Sequence, residues 1–119
     1  VIEIGKKTGL PGFDVQIISP KDGATVQRGN ITVVVKASFL GLPPPLILTS
    51  VYIRWKKAED KSYALFKNRA ATTKLNPFSK IYRKTISIEE PGKWNIIAVL
   101  EDIFMTGPYA THEIEITVV

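Results

Sequence analysis

His112 is the one histidine of the chain, and six serines and eleven Asp and Glu residues are its conceivable partners in catalysis. A Ser-His-Asp relay needs a serine raised on a tight turn, an imidazole within reach of it and a carboxylate behind the imidazole. No serine here sits in such a turn, and nothing local ties one to His112. The histidine opens an alternating apolar run and reads as an ordinary strand-end residue. The acidic pairs are Asp22 with Gly23 beside it, Glu59-Asp60, Glu89-Glu90 and Glu101-Asp102, all near turn signals. None repeats the Asp/Asn spacing of a calcium loop, so solvation and turn chemistry account for them. The absence of cysteine removes thiol catalysis, disulfides and cysteine-ligated zinc together. The expectation is a protein that is not an enzyme and carries no cofactor or metal.

The net charge of +5 raises the question of a polyanion partner. The excess is local: Arg54 to Lys93 holds eleven Lys and Arg against four Asp and Glu, and the remaining segments are slightly acidic. Nucleic-acid binding needs such charge focused on one groove or face.

The elements that would position these groups are strands. At 119 residues, 45% hydrophobic and 23% charged, the chain suits a single domain with a continuous core. Apolar residues alternate with period two, and Gly, Pro, Asn and Asp interrupt them about every ten residues, the rhythm of an all-β sandwich. "NITVVVKA" sets Ile31, Val33, Val35 and Ala37 on one face. "SVYIRWKK" sets Val51, Ile53 and Trp55 against Tyr52, Arg54 and Lys56. "KWNIIAVLED" sets Trp94, Ile96, Ala98 and Leu100 against Asn95, Ile97, Val99 and Glu101. "THEIEITVV" sets Ile114, Ile116 and Val118 against Glu113, Glu115 and Thr117. Weaker strands fall near Val15 to Ile18, Tyr63 to Phe66 and Lys80 to Ile88, making seven. Pro20, Asp22 and Gly23 turn the chain after the first strand; Gly29 and Asn30 tolerate positive φ; "EEPG" turns it again before Trp94.

"GLPPPLIL" cannot be a central strand, because its three prolines lack amide donors. With Phe39, Leu40, Leu42, Leu46, Ile47 and Leu48 around Pro43 to Pro45, it is read as a loop that either caps the core or meets a partner. The chain opens on Val1, as a processed product or a segment of a longer polypeptide would. No run approaches the roughly 18 apolar residues of a membrane span. One methionine, four asparagines, two glutamines and abundant Lys, Ile and Val lean toward a thermophilic source.

"ISPKDGATV" leading into an apolar strand, the tryptophan of "VYIRWKK", "PGKWNIIAVLED" and the terminal "ITVV" together resemble the immunoglobulin-like, fibronectin type III-like domains of bacterial and archaeal surface proteins. The resemblance covers about Phe13 to Val119. It places Trp94 at the aromatic position two residues after Gly92, and matches Asp102 to the acidic residue that often follows. It lacks the antibody cysteine pair and the Asp-Gly-Asn that often follows in bacterial relatives, for "EDIFMTGPY" stands there. What it implies is an immunoglobulin-like β-sandwich of about seven antiparallel strands in two sheets over residues 13–119, preceded by an N-terminal strand or linker over residues 1–12.

The family's arrangement further implies that Arg54 and Lys56 lie on the opposite sheet from Arg83 and Lys84, so the basic charge is dispersed and nucleic acid is an unlikely partner. It also implies that the third, sixth and seventh strands share a sheet. The outer face would then present Tyr52, Arg54 and Lys56, then Ile97 and Val99, then Glu113 and Glu115. Two readings stay open for that strip: a contact patch for another domain or subunit, or apolar residues covered by long charged side chains. Val1, Ile2, Glu3 and Ile4 form a strand-like run, either a linker or a donor strand that pairs with a neighbouring subunit's sheet edge. Asn30 of "NIT" is a glycosylation sequon at a turn.

The resulting expectation is a non-catalytic spacer or assembly unit of an extracellular or cell-envelope protein, its partners being neighbouring domains or subunits. The alternative is a carbohydrate-binding module for acidic glycans, using exposed Tyr52, Tyr63 or Tyr82.

Overall fold

The computed structural model describes residues 6–9, 13–39, 49–59, 81–102 and 110–119. They form eight strands: β1 (Lys6–Gly9), β2 (Phe13–Ser19), β3 (Thr25–Val26), β4 (Gly29–Phe39), β5 (Thr49–Lys57), β6 (Ile81–Ile88), β7 (Gly92–Asp102) and β8 (Ala110–Val118). β1, β8, β7 and β5 lie side by side in one sheet, with β3 also pairing to β8; β2, β4 and β6 make the second. The two sheets face each other across a shared apolar core, so the chain is an all-β sandwich.

Alternation chose the inward faces. Ile31, Val33, Val35 and Ala37 of β4 meet Val51 and Ile53 of β5, Ile96, Ala98 and Leu100 of β7, and Ile114, Ile116 and Val118 of β8. Half-buried Trp55 and Trp94 pack against this cluster. The expected strand at Tyr63 to Phe66 and the proline loop from Leu40 to Leu48 lie outside the described residues, as do Val1 to Ile4.

Two strands carry no periodic signal. β1 falls within residues 1–12, expected as a strand or linker; it pairs antiparallel with β8, from Lys6 opposite Glu113 to Gly9 opposite Ala110. Thr8 and Thr111 link their hydroxyls at 2.6 Å, and Lys7 Nζ reaches Asp14 Oδ1 of β2 at 2.9 Å. β3 pairs parallel with the far end of β8, Thr25 opposite Thr117.

Between these two short strands the turn at Asp22-Gly23 closes the remaining gap on β8. The Glu115 N–H donates to Asp22 Oδ1 at 2.7 Å, and the Gly23 N–H donates to the Glu115 carbonyl at 2.7 Å. Gly23 takes φ +83°, a backbone region costly for other residues, which brings its N–H into position. Beyond it, Thr117 donates to the Ala24 carbonyl, Val119 donates to the Val26 carbonyl, and Arg28 donates back to Val119, each at 2.9 Å. The outer edge of β8 is thus sealed by three successive pieces of the chain's N-terminal part. An open edge is where another chain would add a strand.

Removing the Asp22 carboxylate should therefore leave a backbone donor without its partner. Asp22→Ala is expected to lower unfolding free energy by about 0.5–1.5 kcal/mol, the usual net contribution of one hydrogen bond whose donor water can reach. Asp22→Asn, which keeps an acceptor oxygen, should retain most of it, as read by urea denaturation.

Candidate functional site

The outward face of the β5-β7-β8 sheet is the candidate interaction surface. Register aligns it in rows: Tyr52, Val99, Thr111 and Thr8; then Arg54, Ile97, Glu113 and Lys6; then Lys56, Asn95 and Glu115. All seven residues singled out from the sequence lie on this one face, and Asn95 completes its third row.

Their surroundings differ from the expected open strip. Tyr52 and Lys56 are each 6% exposed and Val99 9%, although all three point away from the sandwich core. Arg54, Ile97 and Glu113 are half-buried, and Glu115 is exposed. The face is therefore covered toward β5 and accessible toward β8. Within it the Arg54 Nε and the Asn95 Oδ1 are buried without hydrogen-bond partners. Alternation tells which side a residue points to, and it cannot tell what lies over that side.

The tyrosines suggested as sugar platforms fare differently from expectation. Tyr82 is 2% exposed inside the core, its hydroxyl has no partner, and burial pushes that phenol's pKa upward. It lies on the inward face of β6 with Ile86 and Ile88. Tyr52 is buried as described, and Tyr63 is outside the described residues. A stacking platform needs an exposed ring face, which neither Tyr52 nor Tyr82 offers.

His112 is also unlike a strand-end residue in its surroundings. It is 8% exposed on the inward face of β8, and its Nδ1 accepts the Ile17 N–H of β2 at 2.8 Å. A backbone N–H can only donate, so Nδ1 is unprotonated and the ring carries its proton on Nε2. The relay of a serine hydrolase needs the reverse, with Nδ1–H directed at a carboxylate and Nε2 free to take a proton. Burial, then the Lys7 ammonium, hold the imidazole below its usual pKa, while Asp22 and Asp14 pull the other way.

The acidic pairs resolve into separate structural roles. Asp22 caps β8; Glu89 accepts from the Ser87 hydroxyl at 3.0 Å; Glu90 pairs with Lys57. Among the described residues no group of three or more His, Cys, Asp or Glu side chains could hold a metal ion. The basic residues divide as anticipated, Arg54 and Lys56 on one sheet and Arg83 and Lys84 on the other. Asn30 is exposed at the start of β4, opposite Ser87. The Thr32 hydroxyl of its sequon lies 3.1 Å from the hydroxyl of Thr85.

One feature was invisible in the sequence. Where β5 ends and the "EEPG" turn leads into β7, an open cleft of about 420 Å³ is bounded by Lys57, Glu59, Glu90, Pro91, Lys93 and Trp94. The Trp94 Nε1–H donates to the Glu90 carbonyl at 3.0 Å, and Ala58 N–H donates to the Lys93 carbonyl at 2.9 Å. The sequence marked "EEPG" as a turn; only the pairing of β5 with β7 brings Lys57 against it.

No family model matches the chain, and no curated protein matches its sequence. Solved structures do match in shape. Fibronectin(III)-like modules of CbhA from Clostridium thermocellum share 15% identity at a TM-score of 0.50, over 87% of this chain and 93% of theirs. The fold is an immunoglobulin-like, fibronectin type III-like β-sandwich. An engineered protein aligns at a TM-score of 0.58 and 17% identity; the match covers 90% of this chain and 20% of that one. A Niemann-Pick type C2 protein from the Japanese carpenter ant aligns at 0.51 and 14% identity, over 98% of this chain and 94% of its own. At such identities the likeness establishes the sandwich and leaves function to the residues.

The burial of Tyr52 gives a direct check on its role. Tyr52→Ala is expected to cost about 3 kcal/mol of stability, as for other buried aromatic truncations. A ring displayed for ligand would instead leave the denaturation midpoint within the small range of surface substitutions.

Proposed function

We propose that this immunoglobulin-like sandwich is a non-catalytic structural module of an extracellular or cell-envelope protein, serving as a spacer or assembly unit between neighbouring domains or subunits. The observation that carries the reading is the sealed edge of β8. In the register of β1 with β8, Ile4 would fall opposite Glu115, whose N–H and carbonyl are already taken by Asp22 and Gly23. Beyond β1 the edge of β8 is thus occupied by the Asp22-Gly23 turn, and on this reading the strand-like Val1 to Ile4 takes a role outside the module's own sheet. Pairing with an edge of a neighbouring subunit is the simplest such role, because an added strand satisfies its backbone groups as it binds.

Further support comes from the chemistry at His112, whose tautomer is the wrong one for a serine relay. The likeness in shape to the fibronectin(III)-like modules of CbhA fits the same reading. Among the described residues no helix is long and apolar enough to cross a membrane. On this reading the module lies outside the cell, on the strength of the sequence resemblance to surface-protein domains. The glycan-binding alternative is weakened by the burial of Tyr52 and Tyr82.

The test is deletion of Val1 to Ile4 alone, which leaves β1 in place, followed by light scattering across a concentration series. The full chain is expected to associate and the shortened chain to stay monomeric with unchanged thermal stability. If both are monomers throughout, assembly through this strand is wrong and the segment is a linker.

A further inference from the structure

We propose that His112 is an acid-sensitive latch fastening β2, the edge strand of one sheet, to β8 of the other. This goes beyond the structural-module reading and does not depend on it. β2 pairs with β4 on one side, and its register shifts between Ile17 and Ser19. Its Ile17 N–H is directed across the sandwich to His112 Nδ1, 2.8 Å away in a buried setting. The bond joins residues on different sheets and far apart in sequence. It also blunts the β2 edge, occupying a donor that an incoming strand could otherwise use.

The bond exists only while Nδ1 has its lone pair. Protonation turns that atom into a second donor facing the Ile17 N–H, so the contact changes from attractive to repulsive. The charged groups around the ring set the balance. Lys7 of β1 stands directly opposite His112 in register, and its ammonium opposes a positive imidazolium. Asp14 of β2 and Asp22 of the turn favour one, but Asp14 is already paired with Lys7 at 2.9 Å and Asp22 caps Glu115. Ala98 of β7, opposite His112 in register, is buried and apolar. The closed site thus excludes the proton, and a ring released into water takes it up near the ordinary value of 6.5.

The direction of pH dependence follows. The closed state binds fewer protons than the opened one, so the latch is at full strength above pH 6.5 and weakens as pH falls from there through the depressed value of the closed site. Across that window the opening constant should grow as pH falls, by at most about tenfold per pH unit, the limit for a single proton. Opening would expose the β2 edge and strip β1 of its Lys7–Asp14 tie, since Asp14 moves with β2.

The experiment is amide hydrogen exchange by NMR on the full chain from pH 7.5 to 4.5, corrected for intrinsic exchange and followed at Ile17. Wild type is expected to lose protection there progressively as pH falls below 6.5, and the loss should level off where the His112 ring resonances of the closed state titrate. His112→Asn places an amide oxygen near the position of Nδ1 and cannot titrate, so its Ile17 protection should be independent of pH. Lys7→Gln should raise the pH at which the closed-state ring titrates and so shrink the loss of Ile17 protection. Constant protection at Ile17 in wild type overturns the latch. An equal loss in His112→Asn overturns it too, by assigning the effect to Asp14 or Asp22. If His112→Asn does not fold, wild type decides alone: a loss of Ile17 protection that continues undiminished below the pH at which the His112 ring titrates refutes the proposal.

Discussion

Every backbone N–H and carbonyl along the outer edge of β8 must find a partner, and the way this chain meets that requirement organises the rest of the molecule. β8 lies between β7 and a composite edge made from β1, the Asp22-Gly23 turn and β3. No single strand could do this, because the chain must cross from the β8 side to pair β2 with β4 and then return. The antiparallel start, the side-chain cap in the middle and the parallel finish are consequences of that crossing. They also bring Asp14, Asp22 and Lys7 around His112, so the edge and the buried imidazole form one connected region.

Buried polarity is the second theme. His112 sits in the core at little cost because its one bare nitrogen has a donor waiting for it. The Tyr82 hydroxyl, the Arg54 Nε and the Asn95 Oδ1 lack such partners among protein atoms. The last two lie on the outer face of the β5-β7-β8 sheet, where Tyr52 and Val99 are also buried. On that face Ile97 and Glu113 are half-buried and Glu115 is exposed.

Sealing β8 with the chain's own segments removes from that edge the backbone groups to which another chain could add a strand. Structural likeness to fibronectin(III)-like modules establishes the fold, and a shared fold hosts many functions. The residue-level arrangement of this chain adds a buried histidine where the sheets meet and an acidic cap on the edge of β8.

The sequence by itself determined the class of fold and the inward faces of the long strands. Ile31 to Ala37, Val51 to Ile53, Ile96 to Leu100 and Ile114 to Val118 all fall where alternation puts them, because a side-chain period of two is a local property of extended backbone. It also separated the two pairs of basic residues, by way of family resemblance. β1 and β3 escaped, being too short to show a period and defined by partners about a hundred residues away. Burial of Tyr52 and Tyr82, the cleft beside Trp94 and the environment of His112 were likewise decided by tertiary structure alone. Local pattern fixes the direction in which a side chain points; what it meets there depends on chain segments that only folding brings near.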